Sequence, residues 1–180
     1  IYVYGQPVLR EEAVDITPDY PNLKELIANM FETMDRADGV GLAAPQIGLP
    51  IRVVVVNLDV LSDDMPEFKD FRRVYINAHI IETGEEMVSM EEGCLSLPGV
   101  HENVKRPDKI HVTYLDENLE AHDEWVEGYL ARVMQHEFDH LDGTMFIDHL
   151  SPLRKQMIRG KLNKMVEGKA RCAYKVKTVK

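Results

Sequence analysis

The chain has 180 residues, 44% of them apolar and 29% charged, with a formal net charge of −10 at pH 7. That length gives one domain with a core that needs no disulfide staple, and that composition excludes wholesale disorder. No stretch approaches the ~20 apolar residues that cross a bilayer, and the N-terminal IYVYGQPVLREEA lacks the basic start and apolar run of a secretory signal.

Residues 152–180 hold ten Lys and Arg against one acid, Glu167, a net +9 that leaves −19 on residues 1–151. An acidic body with a basic end points to an anionic partner for that end; the plainer reading is a solvated helix face. Two cysteines, Cys94 and Cys172, are too few for a secreted scaffold and fit a reducing compartment. The chain opens on Ile1 rather than Met, which leaves room for a trimmed targeting segment ahead of it.

In chain order, residues 21–36 read as a helix. Leu23, Leu26, Ile27, Met30, Phe31 and Met34 share one face, Pro21 suits the first turn and Gly39 lies past the end. The segment GVGLAAPQIG follows neither periodicity. Residues 51–58 read as a buried strand and the acidic residues 60–71 as a loop. Residues 73–82 and 109–116 read as strands, with Ile110, Val112 and Tyr114 on one side. Residues 125–141 read as a second helix stopped by Gly143. A third starts at Ser151-Pro152 and carries Leu153, Met157, Ile158, Leu162, Met165 and Val166 at helical spacing. The expected class is α+β in a single domain over 1–180. Short, mostly antiparallel strands pack around the second helix, and a basic C-terminal helix and tail occupy 152–180.

The chemistry concentrates in His136-Glu137-Phe138-Asp139-His140. Helix positions i and i+4 lie on one face, so two imidazoles can converge on one metal ion. Glu137 sits beside that ion but off the ligand line, where a general base for an attacking water belongs. A catalytic site of this kind takes a third protein ligand. The HExxHxxGxxH pattern supplies a third His, but Phe146 stands at that position. Two candidates remain: Cys94 within EEGCLSLPG, whose thiolate is the best ligand type available, and Glu167, a poorer one amid basic residues. A Cys–His nucleophilic hydrolase would leave the second His without a purpose.

Three motifs together resemble those of the peptide deformylases: Gly39-Val40-Gly41-Leu42-Ala43-Ala44-Pro45-Gln46, Glu92-Gly93-Cys94-Leu95-Ser96 and His136-Glu137-Phe138-Asp139-His140. The details resemble the bacterial type with a helical C-terminal extension. Two positions depart from the commoner pattern, Ala78 after Asn77 and His101 near the expected pocket rim.

The resemblance implies removal of the N-formyl group from formylmethionine at the start of new polypeptides, with release of formate. It implies Cys94, His136 and His140 as metal ligands, one ion per chain, Fe²⁺ by preference with Zn²⁺, Ni²⁺ or Co²⁺ as substitutes. Glu137 would move the proton, and the Gln46 amide and Leu95 N–H would stabilise the oxyanion. Gly41 would pair with the peptide backbone beside Gly93, and Val40, Met90, Tyr129 and Val133 would surround the methionine side chain. The implied partners are formylmethionyl nascent chains and, through the basic end, the ribosome; no membrane or DNA partner is expected. The implied location is the bacterial cytoplasm, or an organelle if a targeting segment has been trimmed. The alternatives are a zinc endopeptidase of the HExxH type using Glu167, and an RNA-binding adaptor whose structural metal is closed by Cys172.

Overall fold

Four consecutive valines, Val53 to Val56, lie at the centre of the computed structural model, which describes residues 1–180. They form most of β2 (Val53–Asn57), and all four are fully buried. Successive strand side chains point to opposite faces, so an unbroken apolar run needs cover on both. α1 (Leu23–Arg36) lays Met30, Phe31 and Met34 against Val53 and Val55. α2 (Gly128–Leu141) lays Met134, Phe138 and Leu141 against Val54 and Val56.

β2 belongs to an antiparallel five-stranded sheet with β1 (Gly41–Ala43), β3 (Arg72–Thr83), β6 (Lys109–Leu115) and β7 (Ala121–Glu127), in the order β1-β2-β3-β6-β7. β1 and β7 are therefore edges. A second antiparallel pair, β4 (Met87–Cys94) and β5 (Leu97–Pro107), closes over α2 from another side. Leu97, Val100 and Val104 of that pair share a core with Phe146, Ile158 and Met165, the last two on α3 (Pro152–Val166). The α+β class, the antiparallel strands, the central helix and the C-terminal helix all agree with the sequence reading. No helix is long and apolar enough to cross a membrane.

Several boundaries move. α1 starts at Leu23, because Asn22 is left-handed (φ 57°) and leaves Pro21 outside the first turn. α2 starts at Gly128, not at Trp125: residues 121–127 pair in unbroken register with β6, and Gly128 (φ 70°) turns the chain from strand into helix. Residues 60–71 hold short 3-10 turns. β1, β4, β5 and β7 are not among the strands that the sequence pattern predicts.

The apolar face expected from Leu153 to Val166 is narrower than its spacing suggests. Ile158 and Met165 are buried, but Leu153 and Met157 are 66% and 63% exposed. A stripe through 158 and 165 repeats every seven residues, and 153 and 157 fall on other sides of the helix at ~100° per residue. Arg154, on the same helix, forks its guanidinium onto Glu102 of β5 at 2.6–3.0 Å.

Candidate metal centre and substrate cleft

α2 presents His136 and His140 one turn apart, and the end of β4 brings Cys94 to them. One ligand atom from each of Cys94, His136 and His140 lies within 4.8 Å of the others. The Cys94 Sγ is 3.3 Å from His140 Nε2. Burial alone would push the Cys94 thiol up, but the two imidazoles outweigh it and bring it down to about 5. Cys94 therefore stands as a thiolate at neutral pH, the form that binds metal.

His136 Nδ1 lies 2.8 Å from Glu92, which fixes the ring and leaves Nε2 for a ligand role. Glu92 is 6% exposed and also takes Arg106 Nε at 2.7 Å and Arg132 Nη1 at 2.8 Å. Burial would raise its carboxyl; the hydrogen bonds from His136 and Arg106 prevail and hold it far below the usual carboxylate range. Arg106 reaches on to Asp139 at 2.8 Å, tying the hairpin to α2 a second time. Breaking a buried pair of this kind ordinarily costs about 3–5 kcal/mol, because the surviving charge is stranded.

Glu137 lies between the two histidines in sequence and beside them in space, with Oε1 3.9 Å from His136 Nε2. Burial pushes its carboxyl above the ordinary value. Its Oε2 and the Nδ1 of His140 are buried without a hydrogen-bond partner. Buried polar atoms are nearly always paired, so an unpaired carboxylate oxygen here is a group not spent on structure. A Cβ at Gly41 would stand 2.8 Å from the Glu137 side chain, which explains the glycine.

A thiolate and two imidazoles suit Zn²⁺ or Fe²⁺. Three converging ligand atoms with an unpaired carboxylate oxygen beside them fit such an ion. Glu167 is not part of the group: it is exposed beyond α3 and pairs with Lys169 at 2.7 Å. Cys172 is not part of it either, so the closed structural site lacks its fourth ligand.

A cleft of about 460 Å³ opens beside this cluster. Val40, Gly41, Gly93, Leu95, Tyr129 and Val133 stand on its wall, together with Cys94, His136 and Glu137. Met90 does not. Its strand neighbours Glu91 and Glu92 do line the cleft, so the wall passes beside Met90 without including it. Gln46 lies behind the wall; its Nε2 is 3.6 Å from Cys94 Sγ and 3.1 Å from Ser96 Oγ, while its Oε1 accepts from the Ala43 N–H at 2.9 Å.

Of the two departures, Ala78 is fully buried in the core that also holds Val133 and Phe138; it follows Asn77, which is left-handed (φ 52°) and whose side-chain amide bonds both the N–H and the carbonyl of Ile16, at 2.7 and 2.8 Å. Neither Asn77 nor Ala78 lines the cleft, whereas His101 does, and its Nδ1 would be 2.7 Å from a Cβ at Gly93.

Sequence reasoning missed Glu92, Arg106 and Arg132. Arg132 precedes His136 by four residues and Glu92 precedes Cys94 by two, so helix and strand periodicity could have flagged both. It also missed Arg171, Cys172 and Tyr174 of the tail, which line the cleft and carry no local signal.

Taken together, the fold and the site are those of a metal-dependent hydrolase of the HExxH type. The family model described as polypeptide deformylase matches residues 1–156. The peptide deformylase of Flavobacterium johnsoniae is 48% identical over 97% of this chain and 92% of its own length, and that of Salinibacter ruber 44% over 99% and 93%. Among solved structures, a Plasmodium falciparum peptide deformylase superposes with a TM-score of 0.84 at 36% identity, covering 93% of this chain and 95% of that one. A Legionella pneumophila peptide deformylase gives 0.81 at 39%, covering 95% and 96%. The chain belongs to the peptide deformylase family, whose members remove the N-formyl group from N-formylmethionine. The endopeptidase alternative finds no support.

Proposed function

We propose that this chain deformylates formylmethionyl nascent polypeptides in the cytoplasm, with Cys94, His136 and His140 holding one divalent ion, Fe²⁺ by preference. The observation that carries the reading is the convergence of those three ligand atoms beside an unpaired Glu137 oxygen. A bound divalent ion supplies acidification of a water and polarisation of a carbonyl.

The chain's own residues do the rest. β1 is a sheet edge, so the Gly41 backbone accepts the peptide as an added strand. Val40, Tyr129 and Val133 receive the methionine side chain, with Gly93 opposite. Glu137 takes a proton from the water as its oxygen bonds to the formyl carbon. As the C–N bond breaks, Glu137 returns the proton to the amine nitrogen, leaving formate and a free amino terminus. The Leu95 N–H donates to no backbone carbonyl and, with a Gln46 amide hydrogen, serves the charge on the formyl oxygen. Losing one such donor ordinarily costs ~10²–10³ in rate. Metal analysis after anaerobic purification, with formate release from a formyl-Met-Ala-Ser peptide, tests the reading. Absence of release from metal-loaded protein rejects it.

Formyl-Met peptides are turned over far better than acetyl-Met peptides, because an extra methyl must share the space between the ligands, Gln46 and Leu95 and spoils the attack geometry. Equal kcat/KM for the two acyl groups would mark a general deacylase.

The segment from Pro152 onward docks on the ribosome. Its +9 charge supports this, as do the exposed Lys155, Arg159 and Lys164 on α3. Reversing those three charges lowers co-sedimentation with ribosomes at low salt, where counterion release is strongest, and leaves turnover of a short peptide unchanged. Ribosome binding indifferent to the reversals would reduce the segment to a solvated face.

A further inference from the structure

Cys94 pairs with Leu97 across a loop of only two residues, Leu95 and Ser96. Two-residue hairpin loops favour the I′ and II′ turns, with glycine or asparagine at positive φ. Neither Leu95 nor Ser96 is that kind of residue, and neither has positive φ. The ladder beneath gives little help, since Gly93 already pairs with His101 and leaves Pro98–Val100 bulged out of register. This tip takes its shape from outside the hairpin.

Three hydrogen bonds hold it. The Tyr4 N–H donates to the Ser96 carbonyl at 2.9 Å, Gln46 Nε2 to Ser96 Oγ at 3.1 Å, and the Tyr174 hydroxyl to the Leu95 carbonyl at 2.6 Å. The first two grip Ser96; the Tyr174 bond grips Leu95. The tail bearing Tyr174 is itself anchored. Lys177 exchanges backbone bonds with Ile1 and Val3 at 2.7 and 3.0 Å, and Gln6 Nε2 donates to the Thr178 carbonyl at 2.6 Å.

We infer that Tyr174 is a positioning residue: its hydroxyl sets the Leu95 backbone, and with it the direction of the Leu95 N–H at the head of the cleft. The inference rests on the oxyanion role proposed above for that N–H. The C-terminal segment thus acts on the chemistry as well as forming a wall of the cleft.

The test is Tyr174→Phe, which removes one oxygen and keeps the ring. Loss of a single such bond lowers kcat on formyl-Met-Ala-Ser by about two- to tenfold. KM and the affinity for the product Met-Ala-Ser, which has no formyl oxygen, stay unchanged, as do metal content and the unfolding midpoint. A second readout needs no turnover. In the zinc-loaded protein, backbone ¹⁵N order parameters at Leu95 and Ser96 fall from the rigid range, ~0.85, toward the flexible range. Unchanged order parameters overturn the inference, and so does a loss confined to KM and product affinity, which would make the tail a wall only. If the parent releases no formate, the proposed activity fails while the order parameters still decide whether Tyr174 sets the Leu95 backbone.

Discussion

Glu137→Gln keeps its metal and loses at least roughly 10²–10⁴-fold in kcat, the usual worth of general acid–base catalysis. The substitution preserves shape where Glu137 is packed against Gly41 and buried between the imidazoles. It removes the ability to take up and return a proton at a carboxylate whose Oε2 no hydrogen bond occupies. Burial disfavours the carboxylate while the two imidazoles favour it, so the unfolding midpoint of the variant is measured beside its metal content. Metal content and circular dichroism establish that the comparison is clean, and formate release gives the rate. Near-normal kcat in a fully metallated Glu137→Gln chain would take the proton-transfer role away from this residue.

The second large effect is loss of the ion itself. Cys94→Ala leaves two imidazoles and deletes the thiolate, the softest and best ligand of the three. Removing a group that only supports a ligand costs 10–100-fold in metal affinity; removing a ligand exceeds ~100-fold. The variant retains well under one ion per chain after dialysis against a mild chelator, and its deformylation is undetectable. Full metal retention would mean that Cys94 is not a ligand. The change also takes away the negative partner of His140 at 3.3 Å, which adds a stability difference to subtract when the two chains are compared.

The helices were legible because their signal is local. The apolar spacing of α1 and the His136–His140 interval are properties of contiguous residues. The short β1 strand and the β4–β5 pair were not. Gly41–Ala43 is too short to show a period, and Met87–Cys94 carries Glu91, Glu92 and Gly93 where alternating apolar residues would advertise a strand. Glu92 reads as a surface acid until Arg106, Arg132 and His136 arrive from 14, 40 and 44 residues away. The same holds for α3: its sequence spacing showed which residues are apolar, but the width of the groove that receives them is a property of the hairpin and the residues around Phe146. Tyr174 lies 79 residues from the carbonyl it serves, and nothing near it in sequence announces that.

The meeting of residues 1–3 with 175–177 separates two quantities that are often read as one. Closing a loop of 174 residues is favourable only once the body has brought its ends together. None of residues 169–180 is buried, and segments with few buried contacts and exposed hydrogen bonds open at a small fraction of the global free energy. The tail is therefore the first cooperative unit to detach under mild denaturant, while the valine-centred core stays intact. A melting temperature measured on this protein reports the core. Competence of the cleft is set by a much smaller, local equilibrium, so a substitution that raises the one can leave the other untouched.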